Sequence, residues 1–196
     1  MVTTLMIVGG DPALDLVNTV GDDRVPDPLD DYESFAAWAA RIGAVDDATA
    51  SRLSARGRRD AAAAGRALTA ARDLRVALDH VFRPLAAGGA PPPDALEQLA
   101  VRAGSAVERG RLVRDDGAFG VAWDGDHLER PLWPLEVAAL DLLRSGPLDR
   151  LKGCEDCPWL FLDTSRNRSR RWCSMNVCGG AAKMRRYRAR QATAGR

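Results

Sequence analysis

All four cysteines of this 196-residue chain lie within 25 residues of one another, near its C-terminal end. They form a CxxC pair, fifteen intervening residues and a CxxxxC pair. Disulfides are rare in reducing compartments, whereas four thiolates satisfy the tetrahedral preference of zinc and leave no coordination position open for water. The spacing therefore predicts one structural Zn²⁺ ion, and its ligands are predicted to be Cys154, Cys157, Cys173 and Cys178.

Local features around the cysteines favour a treble-clef-like zinc finger. The Cys-Pro step at Cys157 resembles a tight knuckle, residues 159–162 predict a strand, and a second strand is expected before Trp172. Cys178 would begin a helix over about 179–190, whose N-terminal amides favour a thiolate. An iron–sulfur cluster uses the same ligands, and a redox CxxC or four incidental buried thiols would also give such a pattern. Chelation is expected to unfold the finger and spare the rest of the chain.

The remainder of the chain predicts a mainly helical domain over residues 1–150, followed by the finger over 151–196. Asp11 and the proline after it favour a short first helix, and an Asp-Gly turn between apolar segments predicts a β-hairpin near 112–123. Apolar periodicity with capping residues predicts further helices over about 31–42, 46–56, 60–87, 94–107 and 135–144. The predicted fold class is mainly α with a small β-hairpin.

Several classes of protein are not favoured. The apolar segment at the start of the chain is too short for a signal peptide, and that at 135–143 is interrupted by acids, so we expect a cytoplasmic protein without membrane contact. Only two histidines are present, with no phosphate-binding glycine loop, serine elbow or HExxH motif. An enzyme is therefore not predicted.

The net charge of +1 conceals a strong asymmetry. Residues 151–196 hold 11 Lys and Arg against three acids, a charge of +8, while residues 1–150 hold 17 against 24, a charge of −7. Guanidinium groups match phosphate oxygens and stack on bases, which makes DNA the expected partner. The predicted contacts are Arg166, Arg168, Arg170, Arg171, Lys183, Arg185, Arg186, Arg188 and Arg190.

An alternative for these cations is that the helix merely has a solvated basic face, with or without docking on the acidic body. Met184 and Tyr187 are expected to form the packed stripe of the C-terminal helix. In the body, Asp15 and Asn18 are three residues apart on the short first helix, so they share one side of it. Together with Arg72 or Arg75 they are predicted to bind a small-molecule effector. The alternative is that these four are caps and internal ion pairs. A homodimer is a further expectation, because DNA-binding proteins often dimerise.

The chain resembles the CGNR zinc-finger proteins, whose finger follows an N-terminal domain called ABATE. The matching segments are Gly9-Gly10, Leu14–Thr19, Cys154–Cys157, Phe161–Asp163, Arg171–Ser174, Cys178-Gly179 and Lys183. The resemblance spans nearly the whole chain and implies a stress-responsive bacterial transcription regulator, with a helical sensor domain and a DNA-binding finger. One departure is that the family's Cys-Gly-Asn-Arg motif has Gly180 and Ala181 in place of Asn and Arg. A zinc-stabilised module that binds protein or RNA is therefore the alternative function.

Overall fold

The computed structural model describes residues 5–20, 27–115 and 117–194. These residues form seven α-helices and two antiparallel two-stranded sheets, β1–β2 and β3–β4. In chain order the elements are α1 (Pro12–Val17), α2 (Tyr32–Arg41), α3 (Asp47–Arg59), α4 (Ala61–Ala86), α5 (Pro93–Glu108), β1 (Arg111–Asp115), β2 (Ala118–Ala122), α6 (Trp133–Ser145), β3 (Leu151–Gly153), β4 (Leu160–Leu162) and α7 (Gly180–Ala194). The predicted fold class, mainly α with a small hairpin and a zinc finger, is confirmed.

Aspartate residues cap the N-terminal ends of four of the helices. A side-chain oxygen of each accepts a hydrogen bond from a backbone N–H in the first turn, which satisfies a donor that has no partner within the helix. The capping residues are Asp11, Asp31, Asp46 and Asp60 of α1 to α4. Asp94, the first residue of the helix predicted over 94–107, is not the cap of α5, because that helix begins one residue earlier at Pro93. Proline suits the first helical position, and Asp94 then contributes its negative charge to the first turn.

Helix α4 is the centre of the body. It contacts α1, α2, α3 and α5 as well as both strands of the β3–β4 hairpin. Leu74, Leu78, Val81 and Phe82 are completely buried along it. α4 is 26 residues long, but charged side chains recur through it, and no helix in the described part of the chain is long and apolar enough to cross a membrane.

The β3–β4 hairpin belongs to the same hydrophobic core as the helices. Leu151, Leu160 and Leu162 are buried in the main core cluster. The backbone N–H of Leu162 also donates to the carbonyl of Gly9, at 2.8 Å. The division into a helical domain of residues 1–150 and a zinc finger of residues 151–196 stays a prediction. The contacts of the hairpin join residues on both sides of this boundary.

The second strand expected before Trp172 is wrong. β4 pairs instead with β3, which precedes the first cysteine, in a register that sets Leu151 opposite Leu162 and Gly153 opposite Leu160. Residues 164–172 form an irregular loop. The partner of β4 is therefore β3, the segment that directly follows the helical body in the chain. This pairing keeps the finger close to that body.

Candidate metal centre and nucleic-acid interface

The fold brings all four cysteines together. Cys154 follows β3, Cys157 lies in the turn before β4, Cys173 ends the loop after β4, and Cys178 lies in the turn Met175–Gly179 that leads into α7. Their four sulfur atoms lie within 4.8 Å of one another. The Cys173 sulfur is 3.6 Å from that of Cys157 and 3.6 Å from that of Cys178. Tetrahedral Zn–S bonds of about 2.3 Å place sulfurs about 3.8 Å apart, so the cluster fits one zinc ion.

Backbone hydrogen bonds hold this geometry. The N–H of Cys154 donates to the carbonyl of Trp159 at 2.8 Å, which closes the knuckle between β3 and β4. The N–H of Glu155 donates to the carbonyl of Arg171 at 3.1 Å and ties the knuckle to the later loop. Cys173 is fully buried. The ligands therefore sit on a fixed scaffold, as a structural metal site requires.

The pKa values of the cysteines indicate that the site needs a bound cation. A hydrogen bond from Cys173 lowers the pKa of Cys157 to about 5. That same bond and burial raise the pKa of Cys173, and burial raises the pKa of Cys178 to about 12. Without a metal, repulsion and burial keep protons on part of the cluster. Zinc binds thiols in their deprotonated form, so the ion supplies the positive charge that four thiolates need.

A buried carboxylate organises the loop after β4. Asp163 is completely buried and accepts hydrogen bonds from Lys152 Nζ at 2.7 Å, from the N–H of Ser165 at 2.9 Å and from that of Arg170 at 3.0 Å. Burial opposes its ionisation, but these donors hold the pKa of Asp163 well below its usual range. Sequence reasoning gave this residue no role. The only signal was its place in the segment Phe161–Asp163 shared with the resembling family.

Arg170, one of the predicted DNA contacts, braces the finger instead. Its guanidinium lies 4.6 Å from the ring centroid of buried Phe161. Its Nε donates to the carbonyl of Trp172 at 3.0 Å, and an Nη donates to the carbonyl of Cys173. A guanidinium placed in this way fixes the backbone beside a zinc ligand, so at least two of its donor groups are already used inside the finger.

Three further predicted contacts form ion pairs at the surface. The pairs are Arg168 with Asp149, Arg171 with Glu155 and Arg185 with Asp156. Each of these arginine side chains is more than half exposed. Exposed pairs contribute only about 0–1 kcal/mol, so a phosphate can replace Asp149 or Glu155 at little cost. Asp156 is mostly buried, so its pair with Arg185 is not of this kind.

The other predicted cations project into solvent. None of them forms an ion pair among the described residues. They are Arg166, Lys183, Arg186, Arg188 and Arg190. Three of them, Lys183, Arg186 and Arg190, share one face of α7 with Tyr187, at spacings of three, four and seven residues. Arg186 also lies over the ring of Trp172, 5.8 Å from its centroid.

The predicted packed stripe of α7 is wrong. Met184 and Tyr187 are 49% and 57% exposed. α7 packs mainly against the turn Met175–Gly179, and every side chain from Lys183 to Gln191 is exposed. Docking of α7 on the acidic body is not seen, since the one ion pair of the described part of α7 joins Arg185 to Asp156 within the finger. A solvated basic face without a partner stays the alternative.

The predicted effector residues form hydrogen bonds and ion pairs with other residues of the chain. Asp15 Oδ1 accepts hydrogen bonds from the N–H groups of Val8 at 3.1 Å and Gly9 at 2.8 Å. Asn18 bonds twice to the backbone of Leu160, donating through Nδ2 and accepting through Oδ1, both at 2.8 Å. These two polar residues of α1 therefore face the start of the chain and the finger.

The two arginines on α4 have other partners. Arg72 Nη2 donates to the carbonyl of Leu29 at 2.5 Å. Arg75 Nη1 forms an ion pair with Asp27 at 2.5 Å and donates to Thr19 Oγ1 at 3.2 Å. Internal partners of this kind are what the alternative interpretation expected, and ligand binding by Asp15, Asn18, Arg72 and Arg75 stays a prediction.

Burial of Asp15 predicts a pH dependence of stability. Burial raises the pKa of this carboxyl to about 6, although hydrogen bonds from two backbone N–H groups lower it in part. The folded chain then keeps a proton that the unfolded chain releases, so the free energy of unfolding falls as pH rises from about 4 to 6, by on the order of 2 kcal/mol. Asp15→Asn is expected to flatten this slope in urea titrations at several pH values. Asp30→Asn, at an exposed position, is the control, and equal slopes for the two variants would contradict the assignment.

Together, the fold and the site define a helical protein that carries a four-cysteine zinc finger. A family model for ABATE, described as "Putative stress-induced transcription regulator", matches residues 10–146, and a model of the CGNR zinc finger matches residues 150–191. The chain thus belongs to the ABATE family and ends in a CGNR zinc finger, in which the four cysteines hold one structural zinc ion. None of the curated proteins matches it significantly.

Proposed function

We propose that this protein is a transcription regulator that binds DNA through α7 and the loop after β4. The observation that carries the proposal is the set of solvent-facing cations without acidic partners among the described residues, three of which share one face of an uncovered helix. An α-helix with its side chains is about 10–12 Å across and fits the major groove, which is about 12 Å wide. Zinc anchors the N-terminal end of this helix to the body.

The proposal has several further parts. The helical body would act as the sensor of a small-molecule effector, and the protein would work in the cytoplasm as a homodimer without enzymatic activity. Both family descriptions name regulators or zinc fingers, which supports the regulatory part. Sedimentation velocity with and without duplex DNA tests the dimer directly.

The salt dependence of DNA affinity tests the interface. Each neutralised phosphate contributes a slope of about −0.9 to log affinity against log salt. Replacing Lys183, Arg186 and Arg190 by Gln is therefore expected to weaken binding and to make the slope shallower by about 2.7. Fluorescence anisotropy with a labelled duplex at several salt concentrations measures both.

The matched control replaces three exposed arginines of the body, Arg56, Arg59 and Arg66, by Gln. These carry the same charge but lie away from the finger, so the slope should stay near that of the wild type. The proposal fails if the wild-type protein shows no salt-dependent affinity for any duplex, or if both triple variants change the slope equally.

A zinc-stabilised RNA-binding module is the second candidate. The observation in its favour is the exposed Tyr187 on the cationic face, since aromatic rings stack with unpaired bases. Gly180 and Ala181 also leave the start of α7 without the side-chain donors of the family motif. Tyr187→Ala separates the two functions. It should cost single-stranded RNA affinity if the protein reads RNA, and leave phosphate-driven duplex binding almost unchanged if it reads DNA.

A further inference from the structure

A cavity of about 230 Å³ lies where the helical body meets the zinc knuckle. Its walls come from the end of α1, from one side of α4 and from Pro158 and Trp159, which directly follow Cys157. An apolar cavity of about 150 Å³ in another protein holds a benzene molecule. The junction cavity is therefore large enough for one ring with a small substituent.

Part of the cavity wall is apolar and uncovered. Val20 and Val76 line it and are 51% and 53% exposed, although valine side chains are favoured in the core. The Trp159 ring provides a broad third surface. A flat apolar ligand placed here would remove these surfaces from water.

Most of the polar groups left over in the wall are donors. Asp79 is the only acid among the described lining residues, and both of its oxygens already accept from Arg83. Arg83 Nη1, the Nε and Nη2 of Arg75, and the ring of His80 have no partner among the described residues. A ligand for this cavity must therefore bring acceptors, and guanidinium groups favour an anionic one.

We propose that this junction cavity binds a small planar aromatic molecule that carries a carboxylate. The ring lies against Val76 and Trp159, and the carboxylate accepts from Arg75 and Arg83. Arg83 Nη2 also donates to the carbonyl of Pro158 at 3.0 Å, so the same side chain joins the cavity to the zinc knuckle. An effect of this ligand on DNA affinity rests on the proposed function, whereas its binding does not.

The test is a titration of the full-length, zinc-loaded protein with benzoate, followed by the indole N–H signal of Trp159 in nuclear magnetic resonance spectra. Trp159→Phe assigns that signal among the five tryptophans. A probe with so few atoms is expected to bind in the millimolar range. Benzoate should shift the signal saturably and bind more tightly than neutral benzamide.

Two matched variants locate the site. Val76→Trp fills the cavity and should weaken benzoate binding by about tenfold or more, which corresponds to about 1.4 kcal/mol. Val101→Trp makes the same change at a valine on α5 that is 64% exposed and should have no effect. The proposal is overturned if the Trp159 signal does not saturate, if benzamide binds as tightly as benzoate, or if the two variants behave alike.

A second titration adds duplex DNA. Benzoate should change the duplex affinity of the wild type and not that of Val76→Trp, and an unchanged wild-type affinity would overturn the regulatory step. If the protein has no duplex affinity at all, the proposed function fails. The benzoate titration contains no DNA and still decides whether the cavity is a binding site.

Discussion

Replacing Cys173 by Ser is expected to unfold the helical body together with the zinc finger. This cysteine is completely buried between two other ligands, and its loss removes the closed tetrahedral site. Structural zinc supplies about 10–16 kcal/mol of apparent binding free energy, as much as the whole stability of about 5–15 kcal/mol of an ordinary domain. Because Leu160 and Leu162 lie in the core of the body, the damage should not stop at the finger.

Circular dichroism during heating, together with zinc content, measures the effect. The variant and the chelated wild type should both lose helical signal at a much lower temperature than the zinc-loaded protein, and added zinc should restore only the wild type. Met175→Ser is the matched control, since this side chain is 61% exposed two residues further on. A helical body that melts at its normal temperature in chelator would instead support the expectation from sequence, in which the finger unfolds alone.

The second large effect is expected from Asn18→Ala. The Asn18 amide satisfies both the N–H and the carbonyl of Leu160, and all of these groups are buried. Alanine leaves two backbone groups without partners, each at a cost of about 1–3 kcal/mol. The free energy of unfolding in urea should fall by about 2–6 kcal/mol with zinc present.

Asn167→Ala is the control for this change. Asn167 is exposed in the loop after β4 and has no hydrogen-bond partner among the described residues, so its replacement should be nearly neutral. Asn18→Asp adds a sharper comparison, because it keeps an acceptor for the Leu160 N–H but places a second acceptor against the Leu160 carbonyl. Stability equal to the wild type in either Asn18 variant would show that the paired bonds do not join the finger to the body.

The helices and the zinc ligands could be predicted from the sequence because their causes are local. A capping aspartate acts on an N–H two or three residues away, and the CxxC spacing itself sets the geometry of a knuckle. The confirmed helix starts at Asp11, Asp31, Asp46 and Asp60 and the four gathered cysteines are of this kind. The hairpin β1–β2 likewise follows from apolar segments around an Asp-Gly turn.

The interpretation of the cations depended on distant contacts. Arg170 looks like its neighbours in the sequence, and only the packing of Phe161 and the carbonyls of the cysteine loop turn it inward. The stripe of Met184 and Tyr187 has the spacing of a buried face, but no other element of the described chain covers it and both side chains are exposed. Composition and periodicity identify a basic amphipathic helix, and they do not say whether anything lies beside it.

The zinc finger and its attachment to the body show most clearly what the sequence alone determines and what depends on the tertiary structure. The cysteine spacing alone was enough to define the finger as a structural zinc site, because metal geometry depends on a few residues close together in the chain. Its attachment to the body depends on Asn18 and Leu160, which are 142 positions apart, and on leucines whose partners come from other elements. Hydrogen bonds and apolar contacts at such separations arise only once α1, α4 and the β3–β4 hairpin are packed, so only the tertiary structure shows that the leucines of this hairpin lie in the core of the body.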